Sequence, residues 1–426
     1  MSSAPLAPIA RSAQRAMNAW FIAIFLLFFT RGLFYATWST RGPQLREALH
    51  LDLAAMGWYA ACLSLGSVTG VLVSERIVRR IGAKKFSIFM YIVLGIAFTL
   101  LGLSLLWQNV PMAYVVTAIL GFPFGATDYS NNLEAAKINN ESGKNRVPAL
   151  HGGYSTGVLL GAALVGLVIT LGVGVTPNFI SISLIVLVVS VVAAFFIKDF
   201  RPKPGEDAEL ATPGQVATAE NLPEPATTAI VDQKVSQREI WRESRSRHIG
   251  FIGFAFVFVE GAGAVWIPIA LVQFGFSAAD AAFSYTLFGL GFVLVRFVGG
   301  PLADKLGREK IVLFSAIAAI LGVGVFMATP FIHIPLVGAL LWGIGDSIGL
   351  AMCVAAFGDD PTRVGSRMTF LWTLVYMANL VVGPVIGTLS SFVGLIWTFT
   401  LPIALMIYSA FASNAVKLQR DTTSTS

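Results

Sequence analysis

Apolar residues in this chain come in long blocks broken by short turns that carry charge, glycine or proline. A bilayer core about 30 Å thick takes roughly 20 residues of helix to cross, so each block predicts one membrane-spanning helix. The blocks fall near residues 18–40, 54–74, 86–106, 111–133, 147–171 and 178–197, and again near 249–272, 280–302, 310–329, 333–356, 366–389 and 393–415. Between the two sets, residues 199–247 are rich in Pro, Glu, Ala and Thr, as in Arg201-Pro-Lys-Pro-Gly-Glu206, and bury too little apolar surface to order themselves. The end of this stretch, Ser236 to Arg247, has two readings: more linker, or a basic amphipathic helix resting on an anionic membrane face through Ile240 and Trp241. The expected fold is an all-α membrane protein with twelve transmembrane helices in two pseudo-symmetric halves. It has a cytoplasmic N-terminus over 1–17, a six-helix half over 18–198, a largely disordered linker over 199–247, a second six-helix half over 248–416 and a cytoplasmic tail over 417–426.

Composition supports this reading: 56% of residues are hydrophobic and 12% charged, and the mean hydropathy is +0.75, whereas soluble domains carry about 25% charged residues. A net charge of +6 would suit nucleic acid if the basic residues formed a stripe. They do not. All the Lys and Arg except Arg31, Arg41, Arg46 and Arg296 fall in segments on one side of the predicted layout, and the positive-inside rule then puts both termini in the cytoplasm of an inner-membrane protein. The run from Trp20 continues past Arg31 to Trp38 with no small-residue cleavage site, so no signal peptide is expected. Cys62 and Cys353 both lie in apolar blocks, which argues against a disulfide framework, and no Cys/His spacing suggests a metal. No phosphate-binding glycine loop with its Lys is present, so neither ATP nor another cofactor is expected.

The two halves resemble each other in detail. Thr30-Arg31-Gly32 matches Val259-Glu260-Gly261, Gly125-Ala-Thr-Asp128 matches Gly343-Ile-Gly-Asp346, and Tyr154 with Gly161 matches Tyr376 with Gly383. Transporters built from repeats place the solute where the halves meet. A charge at a helix centre costs about 2.5 to 3.5 kcal/mol, so Arg31, Asp128, Glu260 and Asp346 are expected to face a cavity or each other. Arg31 and Glu260, at matched positions, predict a pair across that cavity, either switched between states or permanent. Asp128, Glu260 and Asp346 are the candidates for proton coupling, because a buried carboxyl can trade a proton for a partner. Solute-binding candidates are Arg31, Tyr35, Asn131, Asn132, His151, Tyr154, Trp342, Tyr376 and Asn379. Asp128, Asn131 and Asn132 share one helical face, as do His151, Tyr154 and Ser155, then Arg31, Tyr35 and Trp38, then Trp342, Asp346 and Cys353. Plainer readings stand beside these: Trp38 as an interface anchor, His151 as a satisfied structural residue, Asp128 as a helix-packing group. Gly153-Tyr-Ser-Thr-Gly157 fits a nucleophile-elbow pattern. It lies inside a predicted helix, where glycines at four-residue spacing indicate close packing and not enzyme chemistry.

After the eighth block comes Gly299-Gly-Pro-Leu-Ala-Asp-Lys-Leu-Gly-Arg-Glu-Lys310. Through Gly300, Leu302, Asp304, Gly307 and Arg308 this loop resembles the signature of the major facilitator superfamily, and more loosely the chain resembles a bacterial permease branch. The resemblance implies a cytoplasmic gate at Gly300, Asp304, Gly307 and Arg308 that latches helix ends in the outward-open state. The equivalent first-half loop, Glu75-Arg-Ile-Val-Arg-Arg-Ile-Gly-Ala-Lys-Lys85, has Arg79 in place of the acid, with Glu75 one turn earlier as a substitute. Arg296 is expected to join this loop network and not the solute site. The expected function is secondary active transport of a small polar organic solute by alternating access, coupled to protons, by a monomer whose partners are the solute, protons and membrane lipids. An uncoupled or drug-exporting transporter of the same fold is the alternative, and a non-transporting receptor or scaffold a distant one.

Overall fold

The computed structural model describes residues 8–142, 146–197, 236–359 and 363–418. Twelve helical segments among the described residues, two of them broken into shorter helices, are long and apolar enough to cross a membrane, and among the described residues there is no strand. Hydrocarbon offers the backbone no hydrogen bonds, so each span must satisfy its own N–H and C=O groups, which a helix does. Spans 1 to 6 are α1 (Pro8–Thr40), α3 (Leu53–Ile81), α4 (Ala83–Leu106), α5 (Val110–Ser142), α6 (Val147–Thr170) and α7 (Val175–Ala194), with a short α2 (Gly42–Ala48) after the first. A small helix, α8 (Gln237–Arg242), leads into spans 7 to 9, which are α9 (Ser244–Gln273), α10 (Ala278–Leu306) and α11 (Arg308–Ile332). Span 10 is α12 (Pro335–Asp346) followed by α13 (Gly349–Phe357), span 11 is α14 (Val364–Val393), and span 12 is α15 (Leu395–Thr398) with α16 (Thr400–Ala412). An even number of crossings puts both chain ends on one side, here called the termini side; the other is the far side.

Most of the expected linker, 199–235, lies outside the described residues, as do 1–7 of the N-terminus and 419–426 of the tail. Its end folds as α8, where the Ser236 hydroxyl accepts from the Glu239 N–H. Ile240 is fully buried and Trp241 packs edge-on against Phe251 and Phe370 at 5.8 and 5.6 Å. The helix is therefore seated on the second half by its apolar face. Just beyond it, Glu243 accepts from Arg363 at 2.8 Å, from Arg367 at 3.1 Å and from Ser246 at 2.7 Å.

The repeat is visible in the turns. Gly82 (φ +87°) joins α3 to α4 and Gly307 (φ +90°) joins α10 to α11, each a one-residue hinge in backbone space that favours glycine. The second turn is shorter than expected: α10 runs to Leu306, so Gly300 sits inside a helix and only Gly307 makes the turn. Gly125 lies against the Ser67 carbonyl of α3, and its counterpart Gly343 against the Phe288 carbonyl of α10, so span 4 meets span 2 as span 10 meets span 8. The third match diverges. Gly161 packs on Leu33 and Ala36 of its own half, whereas Gly383 packs on Gly57 of the other.

Contacts between the halves are tight on the far side. Gly57 of span 2 touches Gly383 and Gly387 of span 11 backbone to backbone, Gly166 of span 5 faces Ala282 and Phe283 of span 8, and the Ser39 hydroxyl donates to the Ala264 carbonyl. Small residues allow this approach. Arg41, one of the four basic residues set apart from the basic segments above, is also buried there, donating to Asn178 at 2.8 Å and to the Val173 carbonyl at 2.9 Å. Within the first half, Gly153 and Gly157 press on the α1 backbone at Phe25 and Phe29, which explains the spaced glycines without any enzyme chemistry.

Burial alone would raise the Glu243 carboxyl, but Ser246, Arg367 and Arg363 outweigh it and hold it below the ordinary value. Because the folded value is the depressed one, Glu243 contributes stability above its unfolded pKa of about 4.3 and loses it as pH falls through the lower folded value. Glu243→Gln should lower the stability of the purified protein by about 1 kcal/mol at pH 7. In thermal unfolding scans the gap between wild type and variant should stay constant above about pH 5.5 and close below pH 4. A gap that widens on acidification contradicts this assignment.

Candidate solute-binding site

In the first half the central charge is settled. Arg31 on α1 donates to the Asp128 carboxylate on α5 at 2.6 Å and to the Phe124 carbonyl at 3.2 Å, and lies over the Phe124 ring at 4.5 Å and the Tyr154 ring at 5.6 Å. The expected partner, Glu260, is not the one chosen: Asp128 lies on a helix packed against α1 in the same half, and Glu260 lies across the recess. Arg31 is 6% exposed at its side chain and Asp128 32%, so the carboxylate looks into open space while the guanidinium is enclosed. Tyr35 is stacked between Trp38 and Phe124 at 6.1 and 5.9 Å, and Trp38 in turn on Tyr59 at 6.3 Å. Trp38 is buried in this ladder, not placed at an interface.

In the second half the central charges are open. Both Asp346 oxygens are buried with no hydrogen-bond partner, and among the described residues Glu260 forms no ion pair within 4 Å. Asp346 is the last residue of α12, and Ser347 and Ile348 interrupt span 10 directly after it. That break ends the shared face expected for Trp342, Asp346 and Cys353. Irregular backbone at membrane depth is tolerated where it lines a cavity or is buried in protein, and in transporters it marks binding sites.

The two sets of charges share one region. Arg31, Glu260, Asp128 and Arg296 all act on Tyr154; Glu260 and Arg296 act on Asp346; Asp128 acts on Tyr376 across the halves. Tyr376 and Asn379 lie with Trp372 and Gly383 on one face of α14, the face whose Gly383 meets α3. Asn379 is exposed and its amide donates to the Val375 carbonyl at 3.2 Å. His151 packs on the Phe28 ring at 4.7 Å, with its Nε2 buried and without a hydrogen bond. With the far side closed and Asp128, Tyr154, Glu260, Tyr376 and Arg296 all keeping exposed surface mid-bundle, the recess opens toward the termini side.

Three expected solute ligands are not in the recess. Asn131 is fully buried and exchanges hydrogen bonds with the Tyr91 hydroxyl at 2.9 and 3.2 Å, because its position on α5 turns it toward α4. Asn132 is 4% exposed and donates to its own helix at the Asp128 carbonyl. Trp342 is fully buried among Phe288, Phe326 and Phe399 at 5.6 to 6.1 Å, inside the second half.

Arg296, expected in the loop network, instead donates to Ser155 of the other half at 2.8 Å. Of the expected gate residues, Arg308 donates to Asp359 at 2.6 Å, and Arg245 donates to the same carboxylate at 3.2 Å, all within the second half. In the first half Arg79 pairs with Glu75 at 3.3 Å along its own helix. Two features had no counterpart in the sequence reading. Tyr285, 2% exposed, sits among Tyr35, Tyr154 and Glu260. Glu134 is fully buried and accepts from Lys137 at 2.6 Å and from the Trp20 indole at 2.9 Å. Ending span 4 at residue 133 moved Lys137 into a loop, and an acid and a base three residues apart in an apolar helix was the available signal.

Two six-helix halves, closed at one end over an interfacial recess of charged side chains, define a membrane transporter. A model of the Major Facilitator Superfamily matches residues 20–384 and again 272–423. The chain belongs to that superfamily, a transporter family and not an enzyme class, and works as a secondary transporter. It is 22% identical over 394 residues to an uncharacterized MFS-type transporter of Yersinia pestis, covering 92% of this chain and 94% of that one. It is 23% identical over 396 residues to the membrane protein MosC of Rhizobium meliloti, with 92% and 88% covered. Among solved structures, a mutant of the nucleoside transporter NupG superposes with a TM-score of 0.70 at 14% identity over 93% of this chain and 98% of that one. FucP in its outward conformation gives 0.60 at 14% identity over 94% and 100%. At such identities the likeness is one of fold.

Arg31→Gln and Asp128→Asn should each destabilise the protein by about 2 kcal/mol by leaving a charge unpaired, while the double variant recovers at least half of the summed loss. Additive losses in thermal unfolding would show that the pair is not a unit.

Proposed function

We propose that this chain is a proton-coupled transporter of a small polar organic solute. The observation that carries the reading is the contrast between halves: Arg31 and Asp128 neutralise each other, whereas Asp346 is buried with neither oxygen bonded beside Glu260. An ionised carboxylate in that setting costs several kcal/mol unless a proton or a cation relieves it. Glu260 and Asp346 are accordingly the proton carriers, with Asp128 held by Arg31. Tyr154, Tyr376, His151 and Asn379 are the solute-facing groups, their hydroxyl, imidazole and amide atoms suited to a solute bearing hydroxyl or carboxyl groups.

With the basic segments in the cytoplasm, the termini side and the open recess face inward, in an inner-membrane monomer surrounded by lipid. Transport separates the Gly57–Gly383 seam while the termini side closes, with the break after Asp346 as the flexible point in span 10. In the outward-facing state Asp304 and Arg308 hold the cytoplasmic helix ends. A drug exporter calls for a wide apolar cavity, and the polar groups gathered here favour the first reading. The fold likeness to a nucleoside transporter fits a polar organic solute.

In proteoliposomes, an imposed inward-acid gradient should drive accumulation of the solute by wild type. Glu260→Gln or Asp346→Asn should lose at least about tenfold of that accumulation, about 1.4 kcal/mol of coupling, yet keep solute exchange at zero gradient. Gradient-driven accumulation that survives both substitutions rules these acids out as carriers.

A further inference from the structure

We propose that Arg296 is the anion-binding residue of the recess, so that the transported solute carries a carboxylate or an equivalent anionic group. This rests on the transporter reading above and adds the charge of the solute to it.

Arg296 is a full charge within span 8, and intramembrane arginines are kept where they pair or face a water-filled cavity. Here no carboxylate lies within 4 Å of it among the described residues. Of its five donors, one goes to the Ser155 hydroxyl at 2.8 Å, and the guanidinium lies over the Phe292 ring at 5.4 Å. The residue is exposed, it reaches across to Ser155 of the other half, and its charge acts on Tyr154, His151, Glu260 and Asp346. Asp128, the acid opposite, is already occupied by Arg31.

What remains is a planar fork of free donors, the geometry that receives a carboxylate in two parallel hydrogen bonds. The surrounding groups come from both halves. Ser155 and His151, one turn apart on α6, lie beside Arg296 on α10, and the buried His151 Nε2 has no partner. An anion held there touches the two bodies that move against each other, as a solute must if its binding is to bias their arrangement. The alternative is a cationic solute drawn to Glu260 and Asp346, and it predicts the opposite charge preference.

The test uses purified full-length protein and a panel of small aromatic and hydroxy carboxylates, each paired with its neutral amide, together with the matching amines, read by thermal stabilisation and by counterflow in proteoliposomes. Wild type should be stabilised by at least one carboxylate and not by its amide. Arg296→Gln should weaken that binding about 10- to 100-fold, the cost of removing a charge-assisted bidentate partner, with Arg296→Lys between the two. The wild-type comparison of acid with amide does not depend on how well the variants fold. Stabilisation by amides or amines while carboxylates do nothing overturns the anion assignment and leaves the transporter standing, as does carboxylate binding unchanged in Arg296→Gln. Absence of counterflow for every compound that stabilises the protein counts against transport itself.

Discussion

Hydrocarbon cannot solvate a charge, and the main features of this bundle follow from that constraint. Arg31 and Asp128 meet at 2.6 Å and tie span 1 to span 4 at mid-depth. A second tie between the same helices, Trp20 on Glu134, lies nearer the termini side, with Lys137 neutralising the acid. Spans 1 and 5 close on each other through Gly153 and Gly157. Among the described residues, the two acids of the first half that lie at membrane depth, Asp128 and Glu134, are thus each paired with a base of the same half.

The second half leaves its account open. Arg296 acts on both Glu260 and Asp346, and Glu260 on Asp346, with no ion pair among the three in the described residues, and the helix that carries Asp346 is interrupted directly after it. On the termini side the same half is bound by Arg308 and Arg245 on Asp359 and by Arg363 and Arg367 on Glu243. Bound at its rim, this half leaves both Asp346 oxygens without a hydrogen bond at its centre, and under the proposed function it is there that a proton or a solute charge changes the energy of the arrangement.

Much of this was readable from the chain. Twelve apolar blocks, the split into halves and the special turn at Gly307 follow from hydropathy and from glycine's backbone freedom, and these are local properties. The recess was harder. Helical spacing puts Asn131 on the same broad face as Asp128, but a shift of one residue in three turns it to Tyr91, and periodicity alone does not say which neighbouring helix receives it. Matched positions in the repeat suggested Arg31 with Glu260, because pseudo-symmetry relates equivalent residues without making them touch. Trp342 lies inside the second half for a similar reason: an aromatic beside an acid can pack inward as readily as face a cavity. The break in span 10 had only its glycines, Gly343, Gly345 and Gly349, as a sign, and each of these is also explained by close contact with a neighbouring helix or ring.

Under the proposed function the halves move as bodies about this recess, and the Gly57–Gly383 seam is closed in the state described. The most direct measurement is of paired distances by spin labels, in protein whose Cys62 and Cys353 have been replaced. One pair spans the far ends of spans 2 and 11, and the other the termini-side ends of spans 5 and 8. Two populations are expected, in which the far-side distance lengthens as the termini-side distance shortens, with their ratio shifted by pH or by a bound carboxylate. A single far-side distance that stays short under every condition, while solute still crosses, would contradict it.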